Sequence, residues 1–302
     1  MAEDIHPDPS LIGGVPTPPI AFLPEPIKLF QTRARRFAFL AESNALAPYL
    51  TFLAALSKLQ ARLAATLPPV AAPAPMPIAR ARAAMPPIDR AARAGDPELG
   101  ATLAALLEGA VEIVMPEPAR LALDAVRAAN DDDRQWLLSN ILSDQIPDDS
   151  AAPHLFVAAA VQVHMARLAA MLDAQTLVPV GFGLCPACGG RPATSSVMGA
   201  QGIENIRYAA CACCGTQWNE VRVKCLCCGS TKGVSYRSVE TTEATVKAEA
   251  CRECHAWVKI FYQVKNPSLD PIADDVGSLG LDILMKETEF RRGGFNPYLA
   301  GY

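Results

Sequence analysis

The chain has 302 residues, a length that suits about two domains, and its 51% hydrophobic against 19% charged residues excludes wholesale disorder. Its 27 Lys and Arg against 31 Asp and Glu leave a formal charge of −4, which gives no global attraction to nucleic acid or to an anionic membrane. That total is unevenly spread: residues 1–184 hold 14 basic and 19 acidic side chains, residues 185–262 hold 9 and 6, and residues 263–302 hold 4 and 6.

The first residues, MAEDIHPDPSLIGGVPTPP, set acids and prolines where a secretory signal needs a basic start and an unbroken apolar stretch. The chain is expected to stay in the cytoplasm, where cysteines more often hold metal than form disulfides. Residues 1–26 read as an extended, Pro-rich arm, because Pro16, Pro18, Pro19, Pro24 and Pro26 exclude a helix interior.

Residues 27–180 read as an all-α domain. From Ile27 to Leu67 the spacing predicts two helices, the first carrying Leu29, Phe30, Phe37 and Leu40, the second Tyr49, Leu50, Leu53, Leu56, Leu59 and Leu63. Asn44 to Pro48 separates them. Residues 68–97 form a Pro/Ala-rich tract, expected as a loop or partly helical connector with mobile parts. Helical patterns resume over Pro97–Met115, Pro116–Asn130, Asp131–Ser143 and Ala152–Asp173, with prolines at starts as in an antiparallel bundle.

Within the bundle, Asp131, Asp132 and Asp133 fall where a helix N-terminus favours negative charge, so capping is preferred to a metal site. The apolar run from Leu155 to Leu172 is interrupted by Gln162, His164 and Arg167, too polar for a membrane span. His154 and His164 lie ten apart, on different helix faces, and read as structural histidines rather than a ligand pair.

All ten cysteines follow in the basic segment, as four CxxC pairs with two left over: Cys185/Cys188, Cys211/Cys214, Cys225/Cys228 and Cys251/Cys254. Twenty-two residues separate the first pair from the second, and again the third from the fourth, so the region is two copies of one frame offset by 40 residues. Two such frames predict two metal sites: thiolates two residues apart can face one ion from a tight turn, and a second turn completes the tetrahedron. Gly189, Gly215 and Gly229 suit the positive-φ positions of these turns.

Ile206–Ala209, Trp218–Val223, Val234–Val239 and Trp257–Val264 carry strand formers, so residues 181–222 and 223–265 each read as a small metal-clasped β module. Modules of that size fold poorly without metal, whose binding supplies on the order of 10 kcal/mol. Cys213 and Cys227 stand outside the repeat; each could replace its neighbour as a ligand, and free thiols are the preferred reading. His255, after the last pair, could donate to a thiolate, though a surface role is the simpler one. Four thiolates suit zinc and mononuclear iron equally.

Residues 266–302 are expected to hold one helix from Ile272 to about Phe290, with Leu279, Ile283 and Leu284 free to face a partner and Asp274 and Asp275 capping its first turn. The final residues read as a turn and tail.

Several stretches together resemble the FdhE family of formate dehydrogenase accessory proteins: CPACGGRP, IRYAACACCGTQWNEVRVKCLCCGS, AEACRECHAWVKIFYQVKNP, IADDVGSLGLDILMKETEFRRGGFNPYL and, earlier, LPEPIKLFQTRARRFAFLAE and APHLFVAAAVQVHMARLAAMLD. The resemblance covers nearly the whole chain, most specifically residues 152–299, and the Pro/Ala tract least. It implies an α+β multidomain fold, with a helical domain, two tandem rubredoxin-like or zinc-ribbon-like modules and a C-terminal helix. It implies a non-enzymatic cytoplasmic assembly factor that binds the molybdenum-cofactor catalytic subunit of respiratory formate dehydrogenase before twin-arginine export. Iron held by the eight paired cysteines is part of the same implication, with zinc as the alternative occupant; Cys213 and Cys227 depart from the family pattern.

The hairpins and a basic strip of Arg207, Arg222, Lys224 and Lys232 are the expected client surface. Self-association is left open. Two other classes compete. Rubredoxin-like electron transfer needs a reversible one-electron centre. Nucleic-acid binding is disfavoured because the cysteine region carries only 9 basic against 6 acidic residues and no evident stacking platform.

Overall fold

The computed structural model describes residues 17–73, 85–200, 202–239 and 244–299. Most of the N-terminal arm, the middle of the Pro/Ala tract and the last three residues of the expected tail lie outside these ranges.

Helix α1 (Pro26–Ala41) starts on proline, and its apolar stripe buries Phe30 and Phe37 against α2 (Ala47–Thr66), which buries Leu50, Leu53, Leu56, Leu59 and Leu63. Helices α3 (Pro97–Ala110), α4 (Glu117–Ala128) and α5 (Asp131–Leu142) follow. The Asp96 carboxylate caps α3 by accepting the Glu98 amide at 2.9 Å, and the Asn130 side chain caps α5 by accepting the Asp133 amide at 2.8 Å. Asp131, Asp132 and Asp133 thus occupy the first turn of α5, at the positive end of its dipole.

Helix α6 (Ala151–Ala169) is buried on every face from His154 to Ala166 and packs against α2, α3, α4 and α5. A helix that is apolar all round belongs at the centre of a bundle. Among the described residues no helix is long and apolar enough to cross a membrane. Two of the polar interruptions of α6 find hydrogen-bond partners: Arg167 donates to the Leu67 carbonyl at 3.2 Å, and Gln162 Oε1 accepts from Gln60 Nε2 at 3.0 Å and from the Tyr298 hydroxyl at 2.8 Å, which seats the C-terminal segment in the helical core.

One eight-stranded sheet follows, built from β1 (Ala21–Phe22), β2 (Pro192–Ala200), β3 (Ile203–Cys211), β4 (Gln217–Glu220), β5 (Val234–Arg237), β6 (Val246–Cys251), β7 (Ala256–Tyr262) and β8 (Arg291–Arg292). Each module is an antiparallel three-stranded meander, β2–β3–β4 and then β5–β6–β7. The first strand of one copy pairs in parallel with the last strand of the other, Thr194 opposite Lys259 through Val197 opposite Tyr262. The two modules are thereby fused edge to edge. On the outer edge, β1 pairs with β4 and the Tyr208 hydroxyl donates to the Pro19 carbonyl at 2.9 Å, so the described end of the arm packs on the first module.

The expected single C-terminal helix is two, α7 (Ala273–Gly277) and α8 (Leu279–Lys286), broken at Ser278. The break has a physical cause. The buried Lys259 ammonium donates to the carbonyls of Asp275 at 2.6 Å and Ser278 at 3.2 Å, and the Ser278 hydroxyl takes the Asp274 carbonyl at 2.6 Å.

Asp274 and Asp275 are ion-paired anchors rather than simple caps. Asp274 takes a bidentate pair from Arg36, Nε at 2.8 Å and Nη2 at 2.7 Å, joining α7 to α1. Asp275 is held by Lys259, Arg292 and Asn296. The capping falls instead to Asp270, whose carboxylate accepts the amides of Ile272 and Ala273. Leu279 is buried in the core and cannot face a partner; Ile283 and Leu284 remain exposed.

Candidate metal centres

Each CxxC sequence folds as the same tight turn. The amide of Gly189 returns to the Cys185 carbonyl at 2.7 Å, that of Gly215 to Cys211 at 3.1 Å and that of Gly229 to Cys225 at 2.9 Å. The three glycines take φ of +72°, +76° and +75°, a left-handed conformation that a side chain makes costly. In the fourth turn His255 occupies the same position at φ +54°. Its ring is exposed and lies 6.2 Å from that of Phe290, so the surface reading of His255 holds, with a backbone constraint that spacing did not reveal.

These turns bring Cys185, Cys188, Cys211 and Cys214 together in one quartet and Cys225, Cys228, Cys251 and Cys254 in another, with all sulfurs of a quartet within 4.8 Å of one another. In the first, Sγ separations are 3.6 Å for Cys185–Cys214 and 3.6 Å for Cys188–Cys211. In the second they are 3.7 Å for Cys225–Cys254 and 3.8 Å for Cys228–Cys251. Four sulfurs each about 2.3 Å from a central ion form a tetrahedron with edges of about 3.8 Å. The quartets therefore fit a tetrahedral thiolate ion and are much too open for disulfides.

Neither quartet includes Cys213 or Cys227. Cys213 is buried beside Arg90, whereas Cys227 is exposed, with its sulfur against Gly293, and its backbone amide donates to Cys225 Sγ at 3.4 Å. An amide pointing at a sulfur stabilises the thiolate that a metal requires. The Thr216 hydroxyl lies 3.2 Å from Cys214 Sγ and can do the same.

Two arginine-centred clusters flank the centres. At the first, Arg90 donates to both Asp144 oxygens, at 2.8 and 2.5 Å, and to the Ile141 carbonyl at 3.1 Å. Burial opposes the Arg90 charge, but Cys213 and Asp144 more than offset it and hold the guanidinium above its ordinary range. Behind the second centre, Arg207 is 1% exposed and donates to Glu249 at 2.7 Å, to Ser195 at 3.1 Å and to the Lys224 carbonyl at 2.8 Å. Burial pushes the Glu249 carboxyl up while Arg207 pulls it down.

Arg207 is consequently not part of an exposed basic strip, because its strand lies in the middle of the fused sheet with both faces covered. Of the other three strip residues, Arg222 and Lys224 are half-buried, over the rings of Tyr262 and Phe182 respectively, and Lys232 is exposed. Along β4 and the segment that leads into the first CxxC turn lies a cleft of about 540 Å³ lined by Phe182, Leu184, Trp218, Val221 and Lys224 among others. Its exposed apolar rim, with Phe182 at 65% and Val221 at 58%, was not among the sequence-based candidates.

Family models cover nearly the whole chain in three pieces: one described as FdhE, N-terminal, over residues 18–181, one as the FdhE central domain over 184–222, and one as the FdhE C-terminal domain over 223–299. The chain belongs to the FdhE family. The Protein FdhE homolog of Rhizobium meliloti is 54% identical over 304 residues, covering 99% of this chain and 98% of the relative. The FdhE homolog of Proteus mirabilis is 32% identical, covering 93% of this chain and 91% of the relative. The crystal structure of the FdhE protein from Pseudomonas aeruginosa superposes with a TM-score of 0.81 at 31% identity, covering 93% of this chain and 99% of that one. FdhE membership and the two quartets agree on a metal-binding protein with a helical body.

Proposed function

We propose that this FdhE-family chain is a cytoplasmic accessory protein that binds the catalytic subunit of a respiratory formate dehydrogenase during maturation, and acts by binding rather than by catalysis. The observation that carries this reading is family membership over nearly the whole chain, combined with two thiolate quartets in the β modules and an exposed apolar cleft along β4. When bound, the metal supplies cross-links for the four turns that shape this surface. Cys185, Cys188, Cys211 and Cys214 hold one ion, and Cys225, Cys228, Cys251 and Cys254 the other. Iron is the proposed occupant, with zinc the alternative; both suit four sulfurs at this spacing.

The client surface is this cleft along β4. Phe182 and Val221 offer apolar contact, and Arg222 and Lys224 offer positive charge beside it. Lys232 lies on the exposed face of the second module.

Purified catalytic subunit, mixed anaerobically with this protein at low salt, is expected to co-elute with it. Phe182→Asp and Lys224→Glu are expected to weaken the complex at least tenfold with metal content intact. Absence of any complex with the wild-type chain overturns the reading.

A further inference from the structure

The Pro/Ala tract ends in a segment that does more than connect helices. Residues 85–93 run across the first CxxC turn: the Ile88 amide donates to the Ala187 carbonyl at 3.0 Å, Ile88 is 2% exposed, and Pro86 Cγ lies 3.2 Å from where a Cβ on Gly189 would sit. Arg90 follows, 9% exposed, pinned to Asp144 and to the end of α5. A Cβ on Gly190 would lie 3.0 Å from Arg90 Nη1 and 3.3 Å from Cys211 Sγ, so the missing side chain is what lets guanidinium and thiolate close on the same point. Arg90 Nε is buried with no hydrogen-bond partner among the described residues.

Charge explains why a cation belongs here. Four thiolates around a divalent ion form a doubly negative centre, and the first quartet is closed to water, with no cysteine above 2% exposure. Burying net charge is costly unless opposite charge accompanies it. Asp144 cancels only one of two guanidinium groups: its Oδ2 accepts the Arg191 amide at 2.9 Å, its carbonyl accepts Arg191 Nη2 at 2.5 Å, and Arg90 takes both carboxylate oxygens. The cluster of Arg90, Asp144 and Arg191 is thus net positive. In the second module Ser230 stands at the repeat position of Gly190, and Cys228 and Cys254 are open to solvent, which screens that centre instead.

We propose that Arg90 is the counter-charge of the first metal centre, and that residues 85–93 are the strap that carries it there. This rests on the first quartet holding an ion, which metal analysis of the wild-type chain tests separately: two equivalents are expected, and absence of metal from the first quartet overturns both readings. Arg90 is a positioning residue, since it lies outside the proposed client cleft and offers no metal-binding atom.

The test uses the full chain loaded with iron, in a mediated redox titration that follows ferric thiolate absorption. Ferrous thiolate is more negative than ferric, so loss of a nearby cation favours the ferric state. Arg90→Met is expected to shift the partition of one centre about tenfold toward ferric, a fall of ~59 mV for one electron, while the other centre stays put. Arg90→Lys is expected to restore most of it. Asp144→Asn removes a negative charge from the same cluster, at a φ of +56° that asparagine tolerates, and is expected to shift the same centre the opposite way.

Packing damage moves both variants in one direction. Shifts of the same sign, or no shift in either, therefore overturn the proposal. If Arg90→Met does not fold, Asp144→Asn alone decides by the sign of its shift. In zinc-loaded protein, Arg90→Met is expected to release the slower equivalent to a chelator at least tenfold faster, and an unchanged rate contradicts the counter-charge.

Discussion

In the first metal centre Cys185, Cys188, Cys211 and Cys214 are all at most 2% exposed and pack in the same core as helices α2 and α6, with Arg90 beside them. In the second, Cys225 is 5% and Cys251 1% exposed, whereas Cys228 and Cys254 reach solvent. Equal cysteine spacing thus gives two different environments, set by what the rest of the chain lays over each copy. The helical body, the strap and the arm close on the first module, while the second rests on the fused sheet and on the C-terminal helices.

The sharpest way to break this contrast is to remove one ligand at a time. Cys185→Ser and Cys251→Ser should each lose one metal equivalent, forfeiting on the order of 10 kcal/mol of metal-linked folding free energy. Thermal melts followed by far-UV circular dichroism should show Cys185→Ser lowering the helical transition, and Cys251→Ser leaving it nearly in place. Equal loss of helix in both variants contradicts the difference in anchoring.

The second module's own anchor is the next largest effect. Lys259 is fully buried between Asp275 and Asp282, with Arg292 completing the network. Lys259→Met leaves two buried carboxylates to one cation and should cost about 3–5 kcal/mol, measured by denaturant unfolding. The loss should be seen first in near-UV signals of Trp257, which lies under Arg292.

Smaller still is the effect of the fourth turn. His255 carries a left-handed backbone at a position that glycine fills in the other three, so His255→Gly should relieve about 1 kcal/mol and slow metal release from the second centre alone. Faster release would give the His255 side chain a role in holding the site. Cys213→Ser should keep both equivalents, and loss of an ion from it would overturn the ligand assignment.

Acid offers the mildest probe of the helical body. Burial holds His154 and His164 below their ordinary value of 6.5. The unfolded chain therefore takes up protons below about pH 6.5 that the folded chain refuses, so the stability these groups contribute is full above that pH and falls as the pH drops. The double variant His154→Gln, His164→Gln should flatten the pH dependence of the helical melt; an unchanged slope contradicts neutral burial.

Much of this was legible in the residues. The eight ligands follow from one cysteine frame repeated at a 40-residue offset, and the bundle helices follow from their apolar spacing and from prolines at starts such as Pro97 and Pro116. Strand β2 was not legible, because Thr194, Ser195 and Ser196 are polar yet wholly buried where β3 and β7 flank them. The buried Arg207 read as surface for the related reason that its carboxylate partner, Glu249, lies 42 positions away. The break at Ser278 and the role of Arg90 likewise depend on partners remote in sequence, Lys259 and Asp144. Local pattern reports what a residue prefers; it does not report which distant group will satisfy it.

The most direct test of the two-environment account is the kinetics of zinc transfer from the full chain to a chromogenic chelator. The account predicts two phases of one equivalent each, with the fast phase abolished by Cys254→Ser and the slow phase abolished by Cys188→Ser. A single phase releasing both ions together, or a fast phase that disappears with Cys188→Ser, would contradict it.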